Sequence, residues 1–215
     1  MQNYQSLSSA NHKAHEKSLL LTGAQQKIAA ESLGAAFSRD PLMSYVFPNA
    51  VAREKNLAKV FLPLIHCNLQ YGNVELTRNG QGILLWISGD RLPLTLPMLA
   101  CSGMIWMPFR IGQPAFNRLE SHEAFCDREI EKRALKGYAY LWVVGVHPKF
   151  AGKGFGAQMI QSALSNMQRC GRTACVLRTD NYKNVALYEH LGFEQIYAGT
   201  EPSSQLPFWM LSHAL

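Results

Sequence analysis

A chain of 215 residues with 47% hydrophobic and 17% charged residues suits a globular protein with one sizeable core. Its formal charge of +6 favours a polyanionic partner, yet the basic residues are scattered and form no long run, which argues against nucleic acid. Five cysteines (Cys67, Cys101, Cys126, Cys170, Cys175) fit no C-x-x-C spacing and the seven histidines form no H-E-x-x-H, so we expect reduced, mostly buried thiols, no metal and a cytoplasmic protein.

Met1 to Lys17 mixes Gln, Ser, Asn, His and Lys without apolar periodicity and reads as a loose extension, neither signal peptide nor anchor, ahead of one domain over 18–215. Leu19-Leu20-Leu21 suggests a short first strand. Ala24–Phe37 reads as a helix with Ile28, Leu33, Ala36 and Phe37 inward, and a second helix follows over Ala52–Tyr71. Strands Val74–Thr77 and Gly82–Ile87 flank Arg78-Asn79-Gly80, where Asn-Gly is a strong hairpin signal. Residues 92–109 carry no charge, but three prolines and a glycine interrupt them, so they predict helical cover over the core and not a membrane span. Met104, Trp106, Met107 and Phe109 are either core or the lining of an apolar acceptor pocket. Asn117–Lys136 is helical and charged and reads as a solvated face, with His122 and Glu123 on the surface.

Tyr138–His147 is rich in aromatic and β-branched residues and stops at Pro148, as a buried strand does. Phe155, Met159, Ile160, Ala163, Leu164 and Met167 then recur at helical spacing, predicting a helix over 154–168. At the junction Gly152, Gly154 and Gly156 lack Cβ atoms, so backbone N–H groups can turn toward an anion, and the helix N-terminus adds unpaired donors. Lys149 and Lys153 add mobile charge, and together these features predict a pyrophosphate cradle. The spacing is wrong for a Walker loop, because Gly152-Lys153 is followed by Gly154, and G-x-G-x-G-A is not the dinucleotide fingerprint.

Val176–Thr179 is a further short strand. The helix after it has Asp180 or Asn181 as N-cap and ends at Gly192. Asn181, Asn184 and Tyr188 fall at i, i+3 and i+7 on one face. Phe193–Gly199 and Gln205–Ser212 are strand-like and should pair.

With both motifs in view, the chain resembles the GCN5-related N-acetyltransferase (GNAT) superfamily. Ala151-Gly152-Lys153-Gly154-Phe155-Gly156 aligns with that family's phosphate-loop pattern, and Asn181, Tyr188, Gly192 and Phe193 with its later signature. Ala36-Phe37, Asp40-Pro41, Phe47-Pro48 and Leu84-Leu85-Trp86 look like the N-terminal half of a bacterial branch. One departure is plain: Ala151 stands where the family usually has Arg or Gln. The resemblance implies an α/β fold, a mixed twisted sheet of about six or seven strands flanked by helices, with a helical insertion between the third and fourth strands. It implies a sheet that splays between the fourth and fifth strands to admit acetyl-CoA, with the pantetheine arm along Val144, Gly145 and Val146 and Gly145 allowing a bulge or close approach. Ala151, Gly152, Lys153, Gly154, Phe155 and Gly156 would hold the phosphates. Asn181 would orient the cofactor, the Val144 N–H would stabilise the oxyanion, and Tyr188 would protonate the CoA thiolate. Glu75, Tyr140, His122 and Glu123 are candidates for a base, none assigned. The implied activity is acetyl transfer from acetyl-CoA to a primary amine of a small molecule or peptide. Ala151 leaves open a catalytically weak or inactive CoA-binding protein.

Overall fold

The computed structural model describes residues 21–77 and 80–215. The extension at 1–17, Leu19 and Leu20 of the expected first strand, and Arg78-Asn79 of the hairpin turn lie outside the described residues; Leu21 is not in a strand. Helix α1 (Gly23–Ala36) begins at a capping box between Thr22 and Gln25. Helix α2 (Pro41–Val46) is capped by Asp40, whose carboxylate accepts from the Met43 N–H, with proline at the first position. Helix α3 (Ala50–Tyr71), capped by Asn49, leads into the hairpin β1 (Asn73–Leu76) and β2 (Gly82–Ser88). The uncharged stretch folds into α4 (Leu96–Ser102), one 3-10 turn and α5 (Met107–Ile111). Then come α6 (Gln113–Arg133), β3 (Tyr138–Val146), α7 (Phe155–Arg169), β4 (Ala174–Thr179), α8 (Lys183–His190), β5 (Glu194–Thr200) and β6 (Pro207–Ala214). Among the described residues no helix is long and apolar enough to cross a membrane.

The described strands form one mixed sheet in the order β1-β2-β3-β4-β6-β5, in which only β3 and β4 run parallel. Both faces are covered, so six of the seven β2 residues are buried instead of alternating. Ile83, Leu85 and Val143 pack under α1 and α3, while Leu84, Trp86 and Leu141 pack against α7. A third cluster joins Tyr140, Val176, Phe208 and Met210 to Cys126 and Ile130 of α6.

The feature that positions the site lies between β3 and β4. Their pairing runs from Tyr138–Ala174 to Leu141–Leu177 and stops, although β3 continues to Val146 and β4 to Thr179. Beyond Leu141, β3 keeps its bonds to β2 while β4 keeps its bonds to β6, so the sheet splits as the resemblance implied. Leu85 opposes Val143 and Trp86 opposes Leu141, which leaves Trp142 as the bulged residue at the split. The bulge is therefore at Trp142 and not at Gly145.

Gly145 instead marks where a helix comes close. A Cβ there would lie 2.7 Å from Leu33 Cδ2 and 3.2 Å from the Phe37 ring, because α1 rests on β3 at that point. Ile28 of the same helix is 59% exposed, against the inward placement expected. Gly145→Ala is expected to cost about 1–3 kcal/mol by overpacking. In a Leu33→Ala background the same change should cost less, which urea unfolding of the four variants checks.

Candidate functional site

After β3 the chain turns through a 3-10 segment (Pro148–Phe150) into the glycine turn. Gly152 and Gly154 have φ of +76° and +79°, a left-handed conformation that a side chain would strain, and Gly154 is the N-cap of α7. No N–H from 152 to 157 makes a backbone hydrogen bond, and residues 151–154 are exposed. The turn thus presents successive donors at a helix start, beside exposed Lys149 and Lys153. Ala151 donates to the Pro148 carbonyl, a bond that its side chain does not affect. Gly156 lies inside the first turn of α7, where a Cβ would only touch Val146. These backbone donors fit a pyrophosphate without the family's usual Arg or Gln.

The split in the sheet opens on a cavity of about 620 Å³. Val143 and Val144 of β3 line it on one side, and Arg178, Thr179 and Asp180 at the end of β4 line it on the other. Tyr188 and Asn184 of α8 reach it, as does Asp40 at the start of α2. Tyr188 is 6% exposed with its ring edge-on to Phe193, and burial holds its hydroxyl well above the ordinary phenol range. Burial likewise pushes the Asp40 carboxyl up to about 6, against the downward pull of the Met43 hydrogen bond. Asp40 is only partly buried by surface area because it opens on the cavity, while protein encloses it on most sides.

Several expectations change here. Asp180 does not cap α8; the helix starts at Lys183 without a side-chain cap, and Asn181 accepts from the Lys183 N–H. Asn181 does not line the cavity. Asn184, one turn on, does, and it donates to Thr179 Oγ1. Gly192, with φ +85°, ends the helix as expected. Met104 and Met107 line the cavity, whereas Trp106 and Phe109 are 57% and 83% exposed and stack against each other outside it.

The largest correction concerns α6. His122 is fully buried, not on the surface; its Nε2 is 2.9 Å from Asp180 Oδ1 and its Nδ1 is 3.0 Å from Ser204 Oγ. Arg178 Nη2 donates to Glu123 at 2.8 Å and stands 3.5 Å from Asp180. Burial acts to raise the Asp180 pKa, but the Arg178 charge and the His122 hydrogen bond outweigh it and hold the carboxyl below its usual range. The sequence separates these residues by more than fifty positions, so only the fold brings them together. Of the other base candidates, Glu75 is not among the lining residues and accepts from Trp86 and Asn166, and Tyr140 and Glu123 line the cavity.

His122, Cys126 and Asp180 also offer ligand atoms within 4.8 Å of one another, a donor set that no local spacing announced. The surroundings suit hydrogen bonds better than a cation. Arg178 already supplies positive charge to Asp180, and burial pushes the Cys126 thiol up to about 12, so that sulfur keeps its proton.

A family profile described as Acetyltransferase (GNAT) family matches residues 125–193, from the middle of α6 to the residue that packs on Tyr188. Over those residues, about a third of the chain, the sequence is similar to the acetyltransferase (GNAT) family.

Among solved structures, the C-terminal condensation domain of Ebony in complex with β-alanyl-dopamine is similar over 89% of this chain and 94% of its own, at 10% identity and a TM-score of 0.57, a likeness of fold. The ribosomal-protein-S18-alanine N-acetyltransferase of Escherichia coli is 19% identical over 37% of this chain and 56% of its own, with a TM-score of 0.33. A Bacillus subtilis acetyltransferase in complex with CoA is 18% identical over 37% of this chain and 62% of its own, also at 0.33. The chain thus spans about three-fifths of the length of these two acetyltransferases.

Asp180→Asn is expected to lower stability at neutral pH by about 3–5 kcal/mol, because it leaves Arg178 with half its counter-charge. The folded pKa of Asp180 lies below its unfolded value. Its contribution is therefore present above the ordinary carboxylate pKa and lost as pH falls through the lower folded value. Denaturant unfolding of both proteins should show the gap closing only in strong acid.

Proposed function

We propose that the protein transfers an acetyl group from acetyl-CoA to a primary amine bound in the cavity. The observation that carries this reading is the convergence on one cavity of the split edge of β3, the buried Tyr188 and the partly buried Asp40. The glycine turn supplies donors for the pyrophosphate, and the free edge of β3 at Trp142–Val146 offers backbone groups to the pantetheine arm as a neighbouring strand would. Val144 lies on that edge and lines the cavity, so its N–H is our candidate to stabilise the carbonyl oxygen.

Asp40, which the sequence did not single out as a base, fills the role left open. It takes a proton from the acceptor ammonium, the freed nitrogen bonds to the acetyl carbon, and the carbon–sulfur bond breaks. Tyr188 then gives its hydroxyl proton to the departing thiolate and regains one from the second proton that the acylated nitrogen sheds as it becomes an amide. Burial that weakens the phenol as an acid raises the affinity of an adjacent thiolate for a proton in the same way, so the transfer is not opposed. Asn184 donates to Thr179 Oγ1 in the same lining. Asn181 stays in our reading only as a residue that shapes the turn before α8.

Ala151 supports a second reading, a CoA-binding protein without turnover. Thermal unfolding with acetyl-CoA, CoA, ATP and NAD comes first: a ligand at a hundred times its Kd stabilises by about 2.7 kcal/mol. Stabilisation by acetyl-CoA and CoA alone, followed by thiol release with an amine panel, is the expected result. Binding without thiol release would favour the second reading, and no stabilisation would defeat both.

Tyr188→Phe should lower kcat about a hundredfold or more. Asp40→Asn should lower it similarly and remove an acidic limb of the rate profile near pH 6, since the base works only when ionised. The stability change has the opposite sign. The folded pKa of Asp40 is raised, so its contribution is full below the ordinary carboxylate pKa and lost as pH rises through about 6. Asparagine keeps the Met43 cap, and the variant should resist urea better than wild type at pH 8 but not at pH 4.

A further inference from the structure

Residues 91–119 include three arginines and no aspartate or glutamate, and the stretch 92–109 within them carries no charge at all. The acids that bracket the segment are turned to other uses: Asp90 is ion-paired with Arg172, and Glu120 lines the cavity. The segment has two sides. Leu92, Leu94, Leu99 and Met104 line the cavity, and Met98, Met107 and Ile111 are buried. Leu96, Trp106 and Phe109 are instead each more than half exposed. Single exposed apolar residues are ordinary, but large ones gathered together mark a contact surface. Trp106 and Phe109 are gathered, with ring centroids 6.0 Å apart.

Positive charge collects beside them. Arg110 is exposed, and its guanidinium reaches back over Gly103, the left-handed residue that ends α4 and opens the turn carrying Trp106. Burial first, and the charge of Arg110 beside it, lower the pKa of His66 on α3, whose ring meets the Ser102 carbonyl at the end of α4. Lys55, Lys59 and His66 fall at i, i+4 and i+11, one face of α3, and both lysines are exposed. That face leads to the end of α4, where Arg110 stands with the aromatic pair. Among the described residues neither lysine nor Arg110 makes an ion pair.

A second copy of the chain is a poor cover for this surface. Two such faces packed together would set arginine and lysine against their own kind, with no carboxylate in 91–119 to answer them. An anionic bilayer surface answers both features at once. Indole and phenyl rings settle in its interfacial region, and arginine and lysine meet lipid phosphate.

We propose that α4, the 3-10 turn and α5 form a peripheral membrane-docking surface, with Trp106 and Phe109 at headgroup level and Arg110 and the lysine face of α3 on anionic lipid. The insertion that walls the cavity on its inner side meets the bilayer on its outer side. This holds whether or not acetyl transfer occurs.

The test is co-sedimentation of the full chain with vesicles of phosphatidylcholine alone and of phosphatidylcholine and phosphatidylserine in a ratio of about 7:3. Binding to the mixed vesicles is expected to be at least about tenfold tighter and to weaken as salt rises. The double change Trp106→Ala, Phe109→Ala should weaken it about tenfold or more, and Arg110→Gln about fivefold. Leu187→Ser, at an exposed leucine of α8 across the sheet from α3, should leave it unchanged. Brominated lipid should quench tryptophan fluorescence in the wild type and much less in Trp106→Phe. Absence of vesicle binding, equal binding to both compositions, or binding indifferent to the double change would overturn the proposal. So would self-association that the double change abolishes, without vesicle binding, which would give the face to a second copy. Both rings are exposed, so the variants should fold as the wild type does, which circular dichroism checks; the quenching comparison stands independently of the alanine variants.

Discussion

Parallel pairing between β3 and β4 ends after four residue pairs, and the rest of the site is arranged around that ending. Each strand remains bonded on its other side, β3 to β2 and β4 to β6, so the divergence leaves no strand unsupported. A backbone edge left unpaired inside a protein would be costly; here it borders an open cavity where a ligand can satisfy it. The bulge at Trp142 sits one residue past the last pair and adds the twist that carries β3 away. The helices then fall into place around the opening, with α7 starting at the far end of β3 and α8 at the far end of β4.

The two ends of the opening differ in charge. Exposed lysines and free N–H groups gather at the glycine turn, and carboxylates gather along α6 and at Asp40. A net charge of +6 therefore describes neither end. On the acetyl-transfer reading, polyanion and cation would approach from separate sides and meet at the split, each in a field of the right sign.

How much of this could be read from the chain depends on how local the signal is. The glycine turn, the buried strand before it and the helix after it are each written in consecutive residues, and their positions agree with the structure to within a residue or two. Asp40 was legible as a cap, since Asp-Pro opens a helix, but nothing local says that the same carboxylate faces a tyrosine far along the chain. Asn184 against Asn181 turned on a helix that starts two residues later than the capping residues suggest. The reading of 117–136 as a mostly solvated face holds for Glu120, Asp127, Arg128, Glu131 and Lys132, which are exposed, and fails at His122. His122 is buried by Asp180, just past β4, and Ser204 of the β5–β6 turn. The regular spacing of Glu120, Glu123, Asp127 and Glu131 was visible in the sequence, and it marked one helix face without saying what that face looks upon.

The carboxylates also bear on what happens after transfer. On the acetyl-transfer reading an amine would enter as a cation, and the amide that leaves would have lost that charge at the acetylated nitrogen. A cavity with six carboxylates and one guanidinium therefore holds the reactant more tightly than the product at that end, with no moving part. Product inhibition should be weak for an acceptor with a single amine.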